Sequence, residues 1–325
     1  MYDFTIVVLR DALATSVAVI TDILSAAAQL ATRTGAAAPR WRVVSPGGGA
    51  VALSNGLSIK TAPLPRRARN DSSTWIVPGL SLDGSAAAER RLLEPDAIQL
   101  VQALRASTAA GRTIAAGCTA VFLLQAAGLL AGRKATTSWW LAPQLQQLEP
   151  ACAVDANRMV IADGPIVTAG AAFAQTDLTL YLLRDRFGVA LADAVSRVLL
   201  IDGRQAQTPY VTPMMFVGGN DLVAKIQARI EAALPSPPTV AEIASEFCMS
   251  ERTLARRIRA TTGRSPLMLV QSVRVAKARS LLESSRYSVE QVAERVGYSD
   301  ATALRRLIRK TMGATPRQLR PQCAA

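Results

Sequence analysis

The stretch RTIAAGCTAVFLLQAAGLLAG, from Arg112 to Gly132, places a cysteine where covalent chemistry is often done. A short apolar strand, Arg112 to Ala116, runs into Gly117-Cys118-Thr119, and an apolar helix begins at once. Strand, tight turn and helix in that order is how α/β enzymes lift a nucleophile out at the top of a sheet. A thiol with the ordinary pKa of about 8.5 is mostly protonated at neutral pH, and its usual activator is an adjacent base. The chain contains no histidine. No Asp, Glu or Lys stands beside Cys118 in sequence either. The N-terminal end of the following helix is expected to lower the thiol pKa, which suits an oxidisable thiol better than a complete hydrolase. No catalytic residue is therefore assigned. Three roles stay open for Cys118: the wall of a ligand pocket at the strand ends, a sensor thiol that forms sulfenic acid, or a small apolar residue packed at a bend.

The elements that must position this turn alternate between strand and helix. Phe4 to Leu9 is a continuous apolar run with β-branched residues, as in a strand buried on both faces. Trp41 to Ser45, Thr74 to Val77 and Thr113 to Ala116 read as further strands. Val160 to Ala162 and Ile166 to Ala169 read as a hairpin about Asp163-Gly164. Helices are expected over Ser16 to Ala31, Pro95 to Ala110, Gln175 to Arg186 and Ala190 to Leu200. This alternation predicts an α/β domain over 1–200 with a mainly parallel sheet, a flavodoxin-like three-layer sandwich. The uncharged run Ala115 to Gly132 reaches the minimum length of a membrane span. Its Gly117, Gln125, Gly128 and strand-like start favour a buried core segment. The N-terminal run lacks a basic region and is interrupted by Arg10 and Asp11, so no signal peptide is read and a cytoplasmic location is expected. The four cysteines, Cys118, Cys152, Cys248 and Cys323, show no CxxC pairing; reduced thiols are expected, with no metal site and no cofactor.

The net charge of +13 favours a polyanion as partner, and its distribution says where. From Ser236 onward there are 16 Lys and Arg against 7 Asp and Glu. The stretch 201–238 carries Pro209, Pro213, Gly218-Gly219 and a short helix over Asp221 to Ala233, and closes on LPSPP, Leu234 to Pro238. It reads as a linker region, because each proline removes an N–H and restricts the residue before it. The remainder, 239–321, repeats itself. At an offset of 49, Ile243-Ala244 matches Val292-Ala293 and Ser250 matches Ser299. After one inserted residue, Leu254 matches Leu304, Arg256 matches Arg306, Ile258 matches Ile308, Thr261 matches Thr311, Gly263 matches Gly313 and Pro266 matches Pro316.

Each copy is a short helix, a tight turn and a second helix. Ser250 and Ser299 or Asp300 are the expected N-caps. Gly297 supplies a left-handed turn where Cys248 stands in the first copy. Leu254 and Ile258, and Leu304 and Ile308, form the apolar backs of the second helices. Arg252, Ala255, Arg256 and Arg259 face the other way in the first copy; Ala301, Thr302, Arg305, Arg306 and Arg309 do so in the second. An Arg-rich front suits the major groove, where guanidinium groups pair bidentately with guanine or hold phosphates. A long helix over Leu267 to Leu282 separates the copies, enough to set two recognition helices about 34 Å apart on double-stranded DNA.

The segment AERVGYSDATALRRLIRKTMGATPRQLR resembles the double helix-turn-helix domain of AraC/XylS transcription regulators, and MSERTLARRIRATTGRSPLMLVQSVRVAKARSLLE resembles that family's first unit and connecting helix. By this resemblance Arg252, Ala255, Arg256, Thr302, Arg305 and Arg306 face bases. The second unit departs from the family where an aromatic is usual at Leu307 or Ile308. AAGCTAVFLLQAAGLLAGRKATTSWW, with WRVVSPGGG and IVPG, resembles the amidotransferase-like, intracellular-protease-like domain that precedes the DNA-binding domain in one AraC subfamily. In related enzymes the elbow cysteine is the nucleophile and a histidine follows the next strand; here Ser138 stands in that place. The pocket expected from the loops after the strands comprises Gly79, Cys118, Thr119, Ser138, Ala169 and Gly170. Asp177, charged within an apolar helix, is either a polar group of that pocket or an acid favoured at a helix N-terminus. Together these readings predict a sequence-specific, non-catalytic transcription regulator that senses a small-molecule effector. Double-stranded DNA is its partner, RNA polymerase is admitted as another, and the family implies a homodimer. The alternatives are a cysteine-dependent amidase or protease with a DNA-binding accessory, and a nucleic-acid-compacting protein.

Overall fold

The computed structural model describes residues 1–65, 71–81, 85–202, 207, 221–262, 265–285, 287–312 and 315–320. The chain divides into two compact units, Met1–Gln207 and Thr208–Ala325. The first runs β1 (Phe4–Val7), α1 (Ala14–Thr34), β2 (Trp41–Ser45), β3 (Gly49–Ala52), β4 (Ser58–Pro63), β5 (Thr74–Val77), α2 (Ser85–Leu92), α3 (Pro95–Ala109) and β6 (Ile114–Gly117). A 3-10 turn at Cys118–Ala120 follows, then α4 (Val121–Ala126), β7 (Lys134–Ala135), α5 (Ala142–Leu148) and β8 (Ala153–Val154). The unit closes with β9 (Val160–Asp163), β10 (Ile166–Ala169), α6 (Ala174–Phe187) and α7 (Val189–Val198).

The main sheet has the order β3-β4-β2-β1-β5-β6-β10-β9. The pairs from β4 through β10 are parallel, and β3–β4 and β10–β9 add an antiparallel hairpin at each edge. Every residue of β1, β5, β6 and β10 is buried, which is why these strands are continuous apolar runs rather than alternating ones. Helices α1, α6 and α7 pack together, and α2 to α5 form a second group, giving the layered α/β architecture expected. The β3–β4 hairpin was not legible in the sequence. It is largely exposed, so neither face carries an apolar alternation to announce it.

The run Ala115 to Gly132 is a core segment: Ala115, Ala116, Ala120, Val121, Phe122, Leu123, Leu124 and Leu130 are all buried. Among the described residues, α1 is long and apolar enough to cross a membrane. Here it buries Val17, Ile20, Ile23, Leu24, Ala27 and Ala31 inside the unit. The strand order reverses between β1 and β5, and the loops beyond their ends meet in a bridge between Ala12 and Leu80. Crevices at such a reversal are where open α/β sheets bind ligands.

The second unit comprises α8 (Asp221–Ala232), α9 (Val240–Glu246), α10 (Glu251–Thr262), α11 (Pro266–Ser284), α12 (Val289–Arg295) and α13 (Ala301–Met312). The stretch 201–238, expected as a linker region with a short helix, contains that helix as α8. The helix packs on α11, with Lys277 Nζ 3.2 Å from Glu231 Oε1. Arg229 also grips Glu246 of α9 through two hydrogen bonds of 2.8 Å. The prolines of Leu234 to Pro238 end α8 without ending the unit, because a proline stops a helix and leaves the packing of its apolar face intact. Pro209, Pro213, Gly218-Gly219, Gly263 and Gly313 lie outside the described residues.

Both helix-turn-helix copies form as the repeat predicts. Thr239 and Glu242 make a capping box on α9, and Ser288 and Gln291 make one on α12. Ser250 Oγ accepts from Thr253 N–H, and Asp300, rather than Ser299, accepts from Thr302 N–H. Cys248 and Gly297 are both left-handed, at φ 53° and 81°. Only the glycine adopts that conformation without steric cost. Leu254 and Ile258, like Leu304 and Ile308, are buried.

Candidate functional site

Cys118 closes β6 with φ 56°, a left-handed backbone that a side chain rarely adopts. Surrounding bonds hold it there. Its N–H donates to Gly170 C=O at 2.8 Å, and its carbonyl accepts from Thr137 Oγ1 at 2.7 Å. The elbow therefore exists, built by the reach of β6 toward β10 and by the segment after β7. Ser138 Oγ lies 3.0 Å from the Cys118 Sγ. The sequence match that put Ser138 in a histidine's place thus named the side chain that touches the thiol. Thr119 Oγ1 accepts from Leu80 N–H and donates to Leu80 C=O, both at 2.7 Å. Gly79 has no room for a side chain, since a Cβ built there would stand 2.8 Å from the Cys118 Cβ. Ala169 ends β10, and Gly170 N–H donates to Met159 C=O at 2.9 Å.

Cys118 is only 4% exposed. Burial pushes its thiol pKa up, more than the hydrogen bonds from Ser138 and Thr119 pull it down. The expected acidification by a helix N-terminus is thus corrected. Only a 3-10 turn and the six-residue α4 follow the cysteine, and desolvation of the thiolate outweighs them. A serine hydroxyl is no base at neutral pH, so Ser138 offers the thiol a hydrogen bond but no proton acceptor of the usual activating kind.

Two glutamines that sequence reasoning missed complete this enclosure. Gln207 Nε2 donates to Thr137 C=O at 2.9 Å while its Oε1 accepts from Ala171 N–H at 3.0 Å. Gln175, 1% exposed, sits against Gly117, and neither end of its amide finds a partner among the described residues. Neither has a sequence signal, because a glutamine in a polar loop or at a helix start looks like any surface residue.

Asp177 is elsewhere. It lines a groove of about 1210 Å³ with Arg158 and Val160 from the β8–β9 side, Tyr181 and Arg184 of α6, and Asp193 of α7. Gly79, Cys118, Thr119, Ser138, Ala169 and Gly170 do not line that groove. The residues grouped by sequence as one pocket therefore fall into an enclosed cluster around the thiol and a separate, open, charged groove. Asp177 is also in the first turn of α6.

In the second unit Arg252, Arg256 and Arg259 on α10 are exposed and Ala255 is half-buried. On α13, Thr302, Arg305, Arg306 and Arg309 are exposed. All lie opposite the buried backs of their helices, so each copy presents a cationic front. Arg305 differs from the rest: its Nη2 donates to Glu290 Oε1 of α12 at 2.6 Å.

A family model described as the DJ-1/PfpI family matches residues 20–185, and one described as a helix-turn-helix domain matches residues 243–322. The HTH-type transcriptional regulator CdhR of Pseudomonas aeruginosa is 29% identical over 282 residues, 86% of this chain and 81% of its own. The HTH-type transcriptional regulator GlxA of Rhizobium meliloti is 28% identical over 305 residues, 92% of this chain and 90% of its own. Among solved structures, Drosophila melanogaster DJ-1beta superposes with a TM-score of 0.51 at 20% identity, over 62% of this chain and 100% of its own, a likeness of fold.

Proposed function

The chain belongs to the DJ-1/PfpI family and ends in an AraC-type helix-turn-helix domain, and on that premise we propose that it is a sequence-specific DNA-binding transcription regulator. The observation that carries this reading is the pair of arginine-fronted recognition helices, each backed by a buried apolar face. Bidentate guanidinium contacts read guanine in the major groove, and the remaining arginines hold phosphates. The faces proposed to meet DNA are Arg252, Ala255, Arg256 and Arg259, then Thr302, Arg305, Arg306 and Arg309.

The first unit is read as a non-catalytic sensor of a small-molecule effector. Its thiol is buried and protonated, its neighbour is serine, and no imidazole exists in the chain. An effector that binds one arrangement of the regulator better than another shifts its occupancy of DNA by that difference in affinity. The reading includes a cytoplasmic homodimer, with RNA polymerase as a further partner. Genome-wide footprinting with purified full-length protein tests it. Discrete protected sites are expected, and the genes beside them point to the effector's pathway; uniform, sequence-independent coverage refutes it. Acylation of Cys118 by thiol-reactive amide or ester analogues would return the amidase or protease reading instead.

A further inference from the structure

We infer that Glu290 is a positioning residue for base recognition: it holds the Arg305 guanidinium so that the second helix-turn-helix unit discriminates one guanine that the first unit has no counterpart to read. The inference rests on the DNA-binding reading above.

The two copies of the repeat differ at this point in a coordinated way. Arg305 lies on α13 and Glu290 at the start of α12, fifteen positions apart, yet their side chains meet at 2.6 Å. At the matching places the first copy has Ala255 and Ala241. Both members of the pair are therefore absent together from one unit and present together in the other. Their sites are exposed, so the ion pair adds little to stability: a pair in water gains weak Coulomb attraction and loses side-chain entropy. Its effect is on geometry. An arginine side chain is long and flexible, and most of its rotamers miss a given base edge. Anchoring one Nη2 hydrogen to a carboxylate fixes the plane of the fork and leaves the second Nη2 hydrogen to act in parallel with Nη1–H or Nε–H, neither of which has a partner among the described residues. Those donors suit the O6 and N7 acceptors of guanine, which need a planar, correctly aimed pair. The arginines of the first front, Arg252, Arg256 and Arg259, have no such anchor among the described residues, which suits phosphates that accept donors over a wide range of angles.

The test uses the full-length chain and selection from a randomised double-stranded DNA pool, with wild type, Arg305→Ala, Glu290→Ala, Glu290→Gln and the Arg305→Ala/Glu290→Ala double variant. Wild type is expected to enrich a motif containing a guanine whose preference disappears in Arg305→Ala. Glu290→Ala is expected to weaken preference at that same base pair by about tenfold, the order of one loosened bidentate pairing, and to leave other positions unchanged. Glu290→Gln, close in shape and still able to accept a hydrogen bond, falls between the two. The double variant is expected to match Arg305→Ala alone, since the carboxylate acts only through the arginine. A purely structural role for Glu290 would lower all positions alike. The inference is overturned if the Glu290→Ala profile equals that of wild type, if its affinity changes equally for every sequence, or if Arg305→Ala keeps the guanine. Failure of wild type to enrich any motif would instead remove the DNA-reading premise.

Discussion

The Cys118 Sγ stands 3.0 Å from the Ser138 Oγ, both wholly enclosed by the first unit. The group in contact with the elbow thiol is thus a hydroxyl and not a general base. A general base in Ser138's place would draw off the thiol proton; a hydroxyl only shares it.

Alkylation should reflect this. With iodoacetamide at neutral pH, the exposed Cys248 is expected to react first and Cys118 only after unfolding, as followed by peptide mass spectrometry. Equal rates for the two in the native protein would show that Cys118 is accessible and ionised.

The raised thiol pKa also sets a pH dependence. A group with a higher pKa folded than unfolded contributes stability that is complete below its ordinary pKa and lost as pH rises toward the folded value. Denaturant titrations are expected to show stability falling above the ordinary thiol range, and Cys118→Ala is expected to flatten that fall. A slope unchanged by the substitution would assign the alkaline loss to other groups.

Asp96 works in the opposite direction. Burial opposes its ionisation, but the bidentate Arg91 outweighs it and holds the carboxyl below its usual pKa. That stability is present above the ordinary carboxylate pKa and lost as pH falls through the folded one. Arg91 is only 3% exposed, and Asp96→Ala removes its bidentate partner while leaving Glu94 Oε2 at 3.3 Å, so the substitution is expected to cost about 1–3 kcal/mol, with a smaller acid-induced loss thereafter. Urea unfolding at neutral and acid pH measures both effects.

Gly297 should tolerate no side chain. A Cβ there would stand 1.9 Å from the Pro235 carbonyl oxygen, in a backbone of φ +81°. Gly297→Ala is expected to destabilise the second unit by about 3 kcal/mol or more, combining overpacking with a left-handed alanine. Gly56→Ala, at φ +85° with open space around it, isolates the backbone share and is expected to cost clearly less.

Binding energies test the recognition fronts. Arg256→Ala or Arg306→Ala is expected to cost about 1–3 kcal/mol on specific sites if the side chain reads a base. If the arginine instead holds a phosphate, its removal weakens binding to all sequences alike and reduces the salt slope by about 1. Unchanged affinity for both variants at matched salt would overturn the assigned faces.

Much of this architecture was legible without coordinates because it is written in short windows. The buried strands Thr74–Val77 and Ile166–Ala169 announce themselves by unbroken apolar runs, and both are observed as read. The repeat, its caps at Ser250 and Asp300 and its left-handed turn at Gly297 follow from residue types at fixed offsets. The absence of histidine is a property of composition that no fold can change.

What only the tertiary structure decided is who meets whom across the chain. The ionisation of Cys118 depends on how completely β5, β6, β10 and the Thr137–Ser138 segment exclude water, and sequence showed a helix start but not the burial that overrides it. Asp177 left the thiol's company for an open groove because its position on α6 turns it away, while Gln175, two residues earlier, faces Gly117. The fold also brought Glu290 to Arg305 and α8 to α11. Periodicity and torsional preference are local and survive in a linear string. Desolvation and side-chain pairing depend on distances between remote residues, and those are fixed only when the elements dock.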